Sequence, residues 1–464
     1  MLTLLLLGAA LLPSMPEDSP PASMPVRTCT SGVGPHVLWD VALGCGIIPG
    51  ELTCAGGKVL VGANNDLPLD PALRGNHGIL ACFDAESGRF LWQAAHPRLP
   101  SRVNDLPGSA IGSRPCVDGD RVYYVSNRGE LVCLDLQGFM DGENDGEGGE
   151  RRTGELCADF VWTIDMVQDL GVFKREAADV GNPTSSPIVV GDLVYCVTGN
   201  GALYRDGKSE PPHRDAPSFL AAEKATGRIV WSSNAPGNEI VYGQWSSPAH
   251  ARVAGVDQVI FPGGDGRLRG FEASLGKLLW TVDLNGLSPP QRSPEDIRPF
   301  PVSAPVTKEG VIYLGLRRDL EMPTVSPLLA IDAAAAQTEG EKPLRWTFQD
   351  VDFGSSVGSP AIAGDVLFAV GQEGTVFALD LATGQKLWHA SLEDGRGAVA
   401  SPMVNEGKVY VPGESRITVF RAGRKAERLG AYAFKEGYPG TPVITRGRLH
   451  VATPRRLWAL RPWE

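Results

Sequence analysis

The chain has 464 residues and a formal net charge of −11 at pH 7, from 43 Lys and Arg against 54 Asp and Glu. This acidic balance, without any Lys/Arg cluster interleaved with aromatics, argues against a nucleic-acid partner. The length would suit two or three ordinary domains, but an internal repeat favours one closed domain instead.

The leading residues predict export. Residues 1–13 form an apolar run that is too short to span a bilayer and suits the hydrophobic region of a signal peptide. No Lys or Arg precedes the run and no A-x-A site follows it, so a disordered apolar tail is the alternative. Residues 14–35 are rich in Pro and Ser and predict a linker with no packing capacity. We expect a periplasmic or otherwise exported protein that does not span the membrane.

A repeated hairpin follows. ALDLATGQKLW at 378–388 has close copies at 82–92, 221–231 and 270–280, each a strand, a Gly-containing turn and a strand with a Trp. Each copy is preceded by a head of two more strands, as in SPAIAGDVLFAV at 359–370. Eight such heads occur, and four-stranded units that repeat about every 40–70 residues are typical of a β-propeller. We therefore predict an all-β, eight-bladed β-propeller of four-stranded antiparallel blades over residues 36–464.

The two ends of the ordered chain complement each other. The last unit stops at residues 457–464 after three strands, whereas HVLWDVAL at 36–43 reads as a fourth strand with no hairpin before it. We expect this N-terminal strand to complete the last blade, because closing the ring removes two exposed sheet edges.

One Trp per blade is expected to dock each blade on the next, since an indole buries a large area and can donate its N–H to a backbone carbonyl. Residues 421–434 of blade seven contain no Trp, so a weaker seam is expected there, and Trp245, Trp458 and Trp463 lie outside the pattern. The predicted docking residues are Trp39, Trp92, Trp162, Trp231, Trp280, Trp346 and Trp388.

These units resemble the tryptophan-docking repeat of pyrroloquinoline-quinone (PQQ)-like eight-bladed propellers. DGENDG at 141–146, DLGVF at 169–173 and YGQWSSP at 242–248 are similar to the planctomycete-type members. The superfamily includes BamB, which has the fold without the cofactor, and the quinoprotein dehydrogenases. The resemblance implies the fold and leaves the chemistry open.

Two functions from different classes follow from this resemblance. The first is a non-catalytic binding or scaffold protein, BamB-like in fold. The alternative is a PQQ- and Ca²⁺-dependent alcohol or sugar dehydrogenase. The dehydrogenases carry an adjacent Cys-Cys pair beside the quinone, and this sequence has none. We therefore expect no PQQ and no catalytic residues. A hydrolase or lyase has no supporting motif.

Strand order places the long insertions on one face. The loops between the second and third strands of a blade, such as 64–78 and 198–218, share that face with blade-to-blade loops such as 163–184. We expect an envelope protein, a glycan or a small ligand to bind a monomer there, although the loops could simply cover the ring. The candidate residues are Asn65, Asp66, His77, Asn104, Asp105, Asp179, Asn182, His213, Asp215, Gln244 and Trp245.

The insertion at 138–155 lies on the opposite face. Asp141, Glu143 and Asp145 resemble the start of a calcium loop, but Arg152 stands where the last carboxylate is needed, which excludes an EF-hand. A looser Ca²⁺ site and a solvated acidic loop are the two interpretations. Asp265 in GGDG is expected to serve a turn.

The eight cysteines all lie in the first half of the chain. Most are expected to be small buried hydrophobic residues. One disulfide among Cys29, Cys45 and Cys54 is the alternative for those three.

Overall fold

The computed structural model confirms an eight-bladed propeller of four-stranded antiparallel sheets. No helix long and apolar enough to cross a membrane occurs in the part of the chain that it describes. The described residues are 25–30, 35–44, 51–98, 111–146, 153–173, 185–205, 208–241, 244, 246–287, 300–301, 303–317, 325–354, 358–393, 395 and 400–464.

The strands of the first four blades follow two leading strands, β1 (Val26–Cys29) and β2 (Val37–Ala42). Blade one consists of β3 (Leu52–Ala55), β4 (Lys58–Asn64), β5 (His77–Asp84) and β6 (Phe90–Pro97). Blade two consists of β7 (Cys116–Asp118), β8 (Arg121–Val125), β9 (Glu130–Asp135) and β10 (Phe160–Asp165). Blade three consists of β11 (Ile188–Val190), β12 (Leu193–Val197) and, after a separate hairpin of β13 (Leu203–Arg205) and β14 (Lys208–Glu210), β15 (Phe219–Glu223) and β16 (Ile229–Ser233). Blade four consists of β17 (Ala249–Val253), β18 (Val256–Pro262), β19 (Arg267–Glu272) and β20 (Leu278–Asp283).

The other four blades complete the ring. Blade five follows the short β21 (Phe300–Pro301) and consists of β22 (Val306–Lys308), β23 (Val311–Arg317), β24 (Leu328–Asp332) and β25 (Leu344–Phe348). Blade six consists of β26 (Ala361–Ala363), β27 (Val366–Val370), β28 (Thr375–Asp380) and β29 (Lys386–Ser391). Blade seven contains β30 (Met403–Asn405), β31 (Lys408–Pro412), β32 (Arg416–Arg421) and β33 (Arg428–Phe434), and blade eight contains β34 (Val443–Thr445), β35 (Arg448–Thr453) and β36 (Arg456–Leu460). Short 3₁₀ turns lie at Gly138–Asp141, Gly237–Glu239, Asn285–Leu287 and Ala335–Gln337.

The middle strands carry the core. Every residue of β27 is buried, because neighbouring blades cover both faces of the sheet and a continuous apolar run is needed. The outer strand β20 instead alternates, with Trp280 and Val282 buried and Thr281 and Asp283 exposed. The sheets therefore pack on each other through their middle strands and their indoles.

The ring closes as the sequence predicts. β2 pairs antiparallel with β36, with Trp39 opposite Ala459, and supplies the fourth strand of blade eight.

Five of the predicted indoles donate their N–H to a carbonyl of the next blade. The turn that receives the indole needs Gly: Gly384 has φ +71°, and a Cβ there would lie 2.5 Å from the Trp346 ring. Trp280 instead donates to Gln258 of its own blade over 2.8 Å, and buried Trp39 Nε1 has no partner in the part of the chain that the structure describes. The five donors are Trp92 to Leu136 (3.2 Å), Trp162 to Lys224 (3.1 Å), Trp231 to Ala273 (2.8 Å), Trp346 to Leu381 (3.1 Å) and Trp388 to Gly423 (2.9 Å).

A second set of bonds joins the inner ends of the blades. It uses the Ser or Thr that precedes the Pro in five of the heads, a position that the repeat marks without showing its role. Each hydroxyl bonds the backbone of the preceding blade, so the hydroxyls tie consecutive blades together around the channel. These bonds are Arg114 N to Ser186 Oγ (2.9 Å), Ser186 N to Ser247 Oγ (2.9 Å), Ser359 Oγ to the Ala304 carbonyl (2.8 Å), Ser359 N to Ser401 Oγ (2.9 Å) and Ser401 N to Thr441 Oγ1 (3.0 Å).

Blade seven differs from the prediction of a seam without an indole. Gly430 takes the position that Trp388 holds in blade six, and a Cβ there would lie 2.0 Å from the ring of Trp463. The C-terminal Trp463 therefore fills the vacant docking position. Its ring also packs edge-on against Tyr432 at 5.4 Å.

The linker assigned to residues 14–35 also differs from expectation in one part. β1 pairs in parallel with β33 and makes blade seven five-stranded. Four residues gain a ladder of backbone hydrogen bonds here, which a Pro/Ser-rich composition does not signal.

Candidate functional site

An open cleft of about 790 Å³ lies among loops of blades two to four on the insertion-bearing face. Two predicted site residues, His213 and Asp215, line it. The lining residues are Leu170, Gly171, Pro211, Pro212, His213, Arg214, Asp215, Ala216 and Asn238.

His213 is oriented by its neighbours. Its Nδ1 lies 2.6 Å from the Gly171 carbonyl, and its ring meets Phe173 edge-on with centroids 5.7 Å apart. A carbonyl can only accept, so Nδ1 carries the proton. In the neutral ring Nε2 is then an acceptor, and His213 as a whole is exposed.

Buried Asn200 connects the two loops that form the cleft. Its Nδ2 donates to the His213 carbonyl over 2.9 Å, and its Oδ1 accepts the Phe173 N–H over 2.9 Å. The predicted candidate Gln244 is only 1% exposed and donates from Nε2 to the Asn200 carbonyl over 3.2 Å. Gln244 therefore supports the cleft from beneath. Sequence reasoning missed Asn200, since one Asn in a loop carries no signal of its own.

The charges at the cleft are exposed. The side chains of Arg214 and Asp215 are 60% and 90% exposed, and their closest charged atoms are 3.8 Å apart. An exposed pair at this distance contributes little to stability, so both groups remain available to a partner. Beside the cleft, Arg267 forms an ion pair with Glu239 at 2.7 Å.

The candidates of blade one stabilise their own loop. Asn65 donates from Nδ2 to the carbonyls of Leu73 (3.3 Å) and Gly75 (3.0 Å). Asp66 accepts a bond of 2.9 Å from Asn64, and His77 begins β5. The remaining candidates lie outside the described residues: Asn104, Asp105, Asp179, Asn182 and Trp245.

The acidic insertion pairs with an arginine. Asp145 lies 2.9 Å from Arg121 Nη1, which also contacts Asp135. Asp141 accepts the backbone N–H of Glu143 over 3.0 Å. Nowhere in the described ranges do three His, Cys, Asp or Glu side chains converge as metal ligands. The calcium site remains a prediction without geometric support.

Asp265 is completely buried and accepts two bonds from Arg269, at 2.9 and 2.7 Å, as well as serving its turn.

Cys29 and Cys54 are free thiols, so no disulfide joins them, and Cys45 lies outside the described residues. Burial raises the pKa of both thiols to about 12, which keeps them protonated and inert.

The described inner strands do not present ligands for a quinone held with calcium. The inner strands carry mainly apolar residues. Their charged side chains already have partners: Asp118 pairs with Lys224 at 2.8 Å, and Lys308 donates to the Gly364 carbonyl over 2.5 Å. Among the described residues of these strands, no pair of acids is left to coordinate a cation.

Comparison with known proteins agrees with this architecture. BamB of Bordetella pertussis is 23% identical over 250 residues, which cover 50% of this chain and 60% of that protein. The crystal structure of BamB from Moraxella catarrhalis superposes with a TM-score of 0.58 at 14% identity, covering 92% of this chain and 97% of that one. Sqt1 of Saccharomyces cerevisiae superposes with a TM-score of 0.57 at 10% identity, covering 91% and 98%. These structural likenesses show the fold alone.

A family profile covers most of the propeller. The PQQ_2 profile, described as outer membrane protein assembly factor BamB, matches residues 47–140, 161–315 and 221–463. The chain therefore belongs to the PQQ_2 family of BamB-like eight-bladed propellers.

Proposed function

We propose that this protein is an exported, non-catalytic scaffold that binds an envelope protein at the cleft around His213. The observation that carries the proposal is the combination of exposed polar groups on a rigid base. His213, Arg214 and Asp215 face solvent, while buried Asn200 and Gln244 fix the loops beneath them. A preorganised loop surface loses little conformational entropy when it binds.

The chemistry of the cleft suits a protein surface. It presents a cation, an anion and an imidazole acceptor within three consecutive residues, beside the adjacent Pro211 and Pro212. Such charges steer and orient a partner of complementary charge. The family assignment supports the same proposal, since its description names an outer membrane assembly factor.

The test compares two triple variants in a pull-down from an envelope fraction. The cleft variant is His213→Ala, Arg214→Ala and Asp215→Ala. The control is Ser274→Ala, Lys277→Ala and Glu341→Ala, three exposed residues away from the cleft with the same loss of one cation and one anion. We expect the native protein and the control to retain a common partner, and the cleft variant to lose it.

The captured partner is then purified and titrated against the same three proteins by calorimetry. Equal affinity for the cleft variant and the native protein would place the binding surface elsewhere and refute the proposal.

A further inference from the structure

Positive charge is concentrated near the end of the chain. Residues 416–461 contain nine Arg, two Lys, two Glu and no Asp, a net charge of +9. Since the whole chain carries −11, all other residues together carry −20. Such an asymmetry points to a surface that meets an anionic partner. This segment forms β32 to β36, in blades seven and eight.

Some of these cations form ion pairs with acidic side chains of neighbouring blades. Arg424 pairs with Asp365 (2.6 Å) and Asp380 (2.8 Å) of blade six, and Arg448 pairs with Glu86 of blade one at 3.2 Å.

Other cations remain unpaired. Five exposed cations of this segment form no ion pair with any described residue: Lys435 and Arg455 lie on the cleft face, and Lys425, Arg446 and Arg461 lie on the opposite face. We name Lys425, Arg446 and Arg461 the cationic sector.

Topology places the cationic sector on one face. Lys425 lies in the turn between β32 and β33, Arg446 in the turn between β34 and β35, and Arg461 directly after β36. In an antiparallel blade the first-to-second and third-to-fourth turns share a face, and the third strand ends there. This is the face opposite the cleft.

The chain enters the propeller at the same place. β1 runs parallel to β33, with Val26 opposite Ala431, so its first residue lies toward the turn that holds Lys425. Arg27 then donates to the carbonyls of Arg461 and Pro462, each over 3.2 Å. Residues 1–24, which include the apolar run 1–13, therefore connect to the propeller beside the cationic sector.

We infer that the cationic sector docks on the surface of an anionic lipid bilayer, with the rim of blades seven and eight toward the headgroups. In a chain that keeps residues 1–13, the short apolar run alone gives marginal membrane binding, and basic residues beside it supply the second signal. Exposed acidic residues on this face, Asp120 of blade two, Asp192 of blade three and Glu406 of blade seven, oppose docking of the whole face. Docking on the rim leaves the cleft directed away from the bilayer.

The experiment measures sedimentation of the full chain with vesicles of phosphatidylglycerol or of phosphatidylcholine, at low and high salt. The sector variant is Lys425→Gln, Arg446→Gln and Arg461→Gln. The matched control neutralises three exposed lysines outside the sector, Lys277, Lys342 and Lys435. Every protein keeps residues 1–24, so any contribution of the apolar run cancels in the comparison, and thermal melts show that all variants are folded.

We expect salt-sensitive binding to phosphatidylglycerol that the sector variant weakens on the order of tenfold to a hundredfold, while the control binds as the native chain does. Equal binding by the two variants overturns the inference, as does equal binding to phosphatidylcholine, which would assign all binding to the apolar run. Self-association in place of vesicle binding, if lost in the sector variant, would identify a second copy of the chain as the partner and also overturn it.

Discussion

Two seams of the ring use the same aromatic positions with different results. Between blades two and three, Trp162 and Tyr123 both donate to the Lys224 carbonyl, over 3.1 and 3.0 Å. Between blades eight and one, the corresponding residues are Trp39 and His450, with rings 5.5 Å apart. Both side chains are buried, and neither has a hydrogen-bond partner among the described residues.

The difference shows what the repeat does and does not specify. The repeat fixes the positions of the indole and of the aromatic ring beside it, Tyr123 or His450. Side chains of similar volume therefore fill both seams. The hydrogen bonds depend on the local turn and on the identity of the second aromatic. A buried polar group without a partner costs about 1–3 kcal/mol, so the closing seam is expected to be weaker than the others.

Removing an indole from each kind of seam should give the largest loss in the free energy of unfolding. Trp92 is completely buried and bonds to Leu136, so Trp92→Ala should lower the free energy of unfolding by about 3–5 kcal/mol. Trp39→Ala should cost about 1–2 kcal/mol less, because no hydrogen bond is lost and an unpaired N–H is removed. Denaturant unfolding followed by circular dichroism measures both. A loss at Trp39 equal to that at Trp92 would contradict the ranking.

The closing seam should also be sensitive to acid. Burial lowers the pKa of His450 from 6.5 to about 4, and Arg448 adds to the shift. Below pH 6.5 the unfolded chain binds a proton at His450, whereas the folded chain does not bind it until about pH 4. His450 therefore has no effect on the free energy of unfolding above pH 6.5. As the pH drops to 4, its protonation in the unfolded chain lowers that free energy by about 3 kcal/mol.

His450→Phe isolates this contribution. The native chain and the variant both lose stability in acid through other groups, so the measurement is the difference between their pH profiles of unfolding free energy. We expect the variant to lose less between pH 6.5 and 4. Parallel profiles would show that His450 does not titrate as its burial requires. His450→Tyr restores the residue type of Tyr123 and should stabilise the seam further.

Sequence could predict what repeats and could not predict what the chain ends contribute. Eight heads and seven indoles define the blades, and HVLWDVAL reads as the missing strand. Trp463 lies beyond the last repeat, so only the folded ring shows that it reaches Gly430. β1 has four residues, too few for a periodic signal.

The candidate site likewise contains residues that the sequence could predict and contacts that it could not. His213 and Asp215 belong to a long insertion whose face follows from strand order, and both line the cleft. Asn200 acts through backbone groups 13 and 27 residues away, a set of contacts that no local pattern encodes. The hydroxyl of Ser186 likewise bonds a residue 72 positions earlier.

The smallest expected effect concerns the second donor of a complete seam. Tyr123→Phe removes one hydroxyl from the Lys224 carbonyl, which keeps its bond from Trp162, so the cost should be about 0.5–1 kcal/mol. Blade six provides the reciprocal variant, because Phe368 stands at the corresponding position beside Trp388, with rings 5.9 Å apart. Phe368→Tyr should stabilise by a similar amount if a second donor strengthens a seam. Chemical denaturation of both variants decides this. A stabilised Tyr123→Phe, or a destabilised Phe368→Tyr, would mean that a second donor does not strengthen a seam.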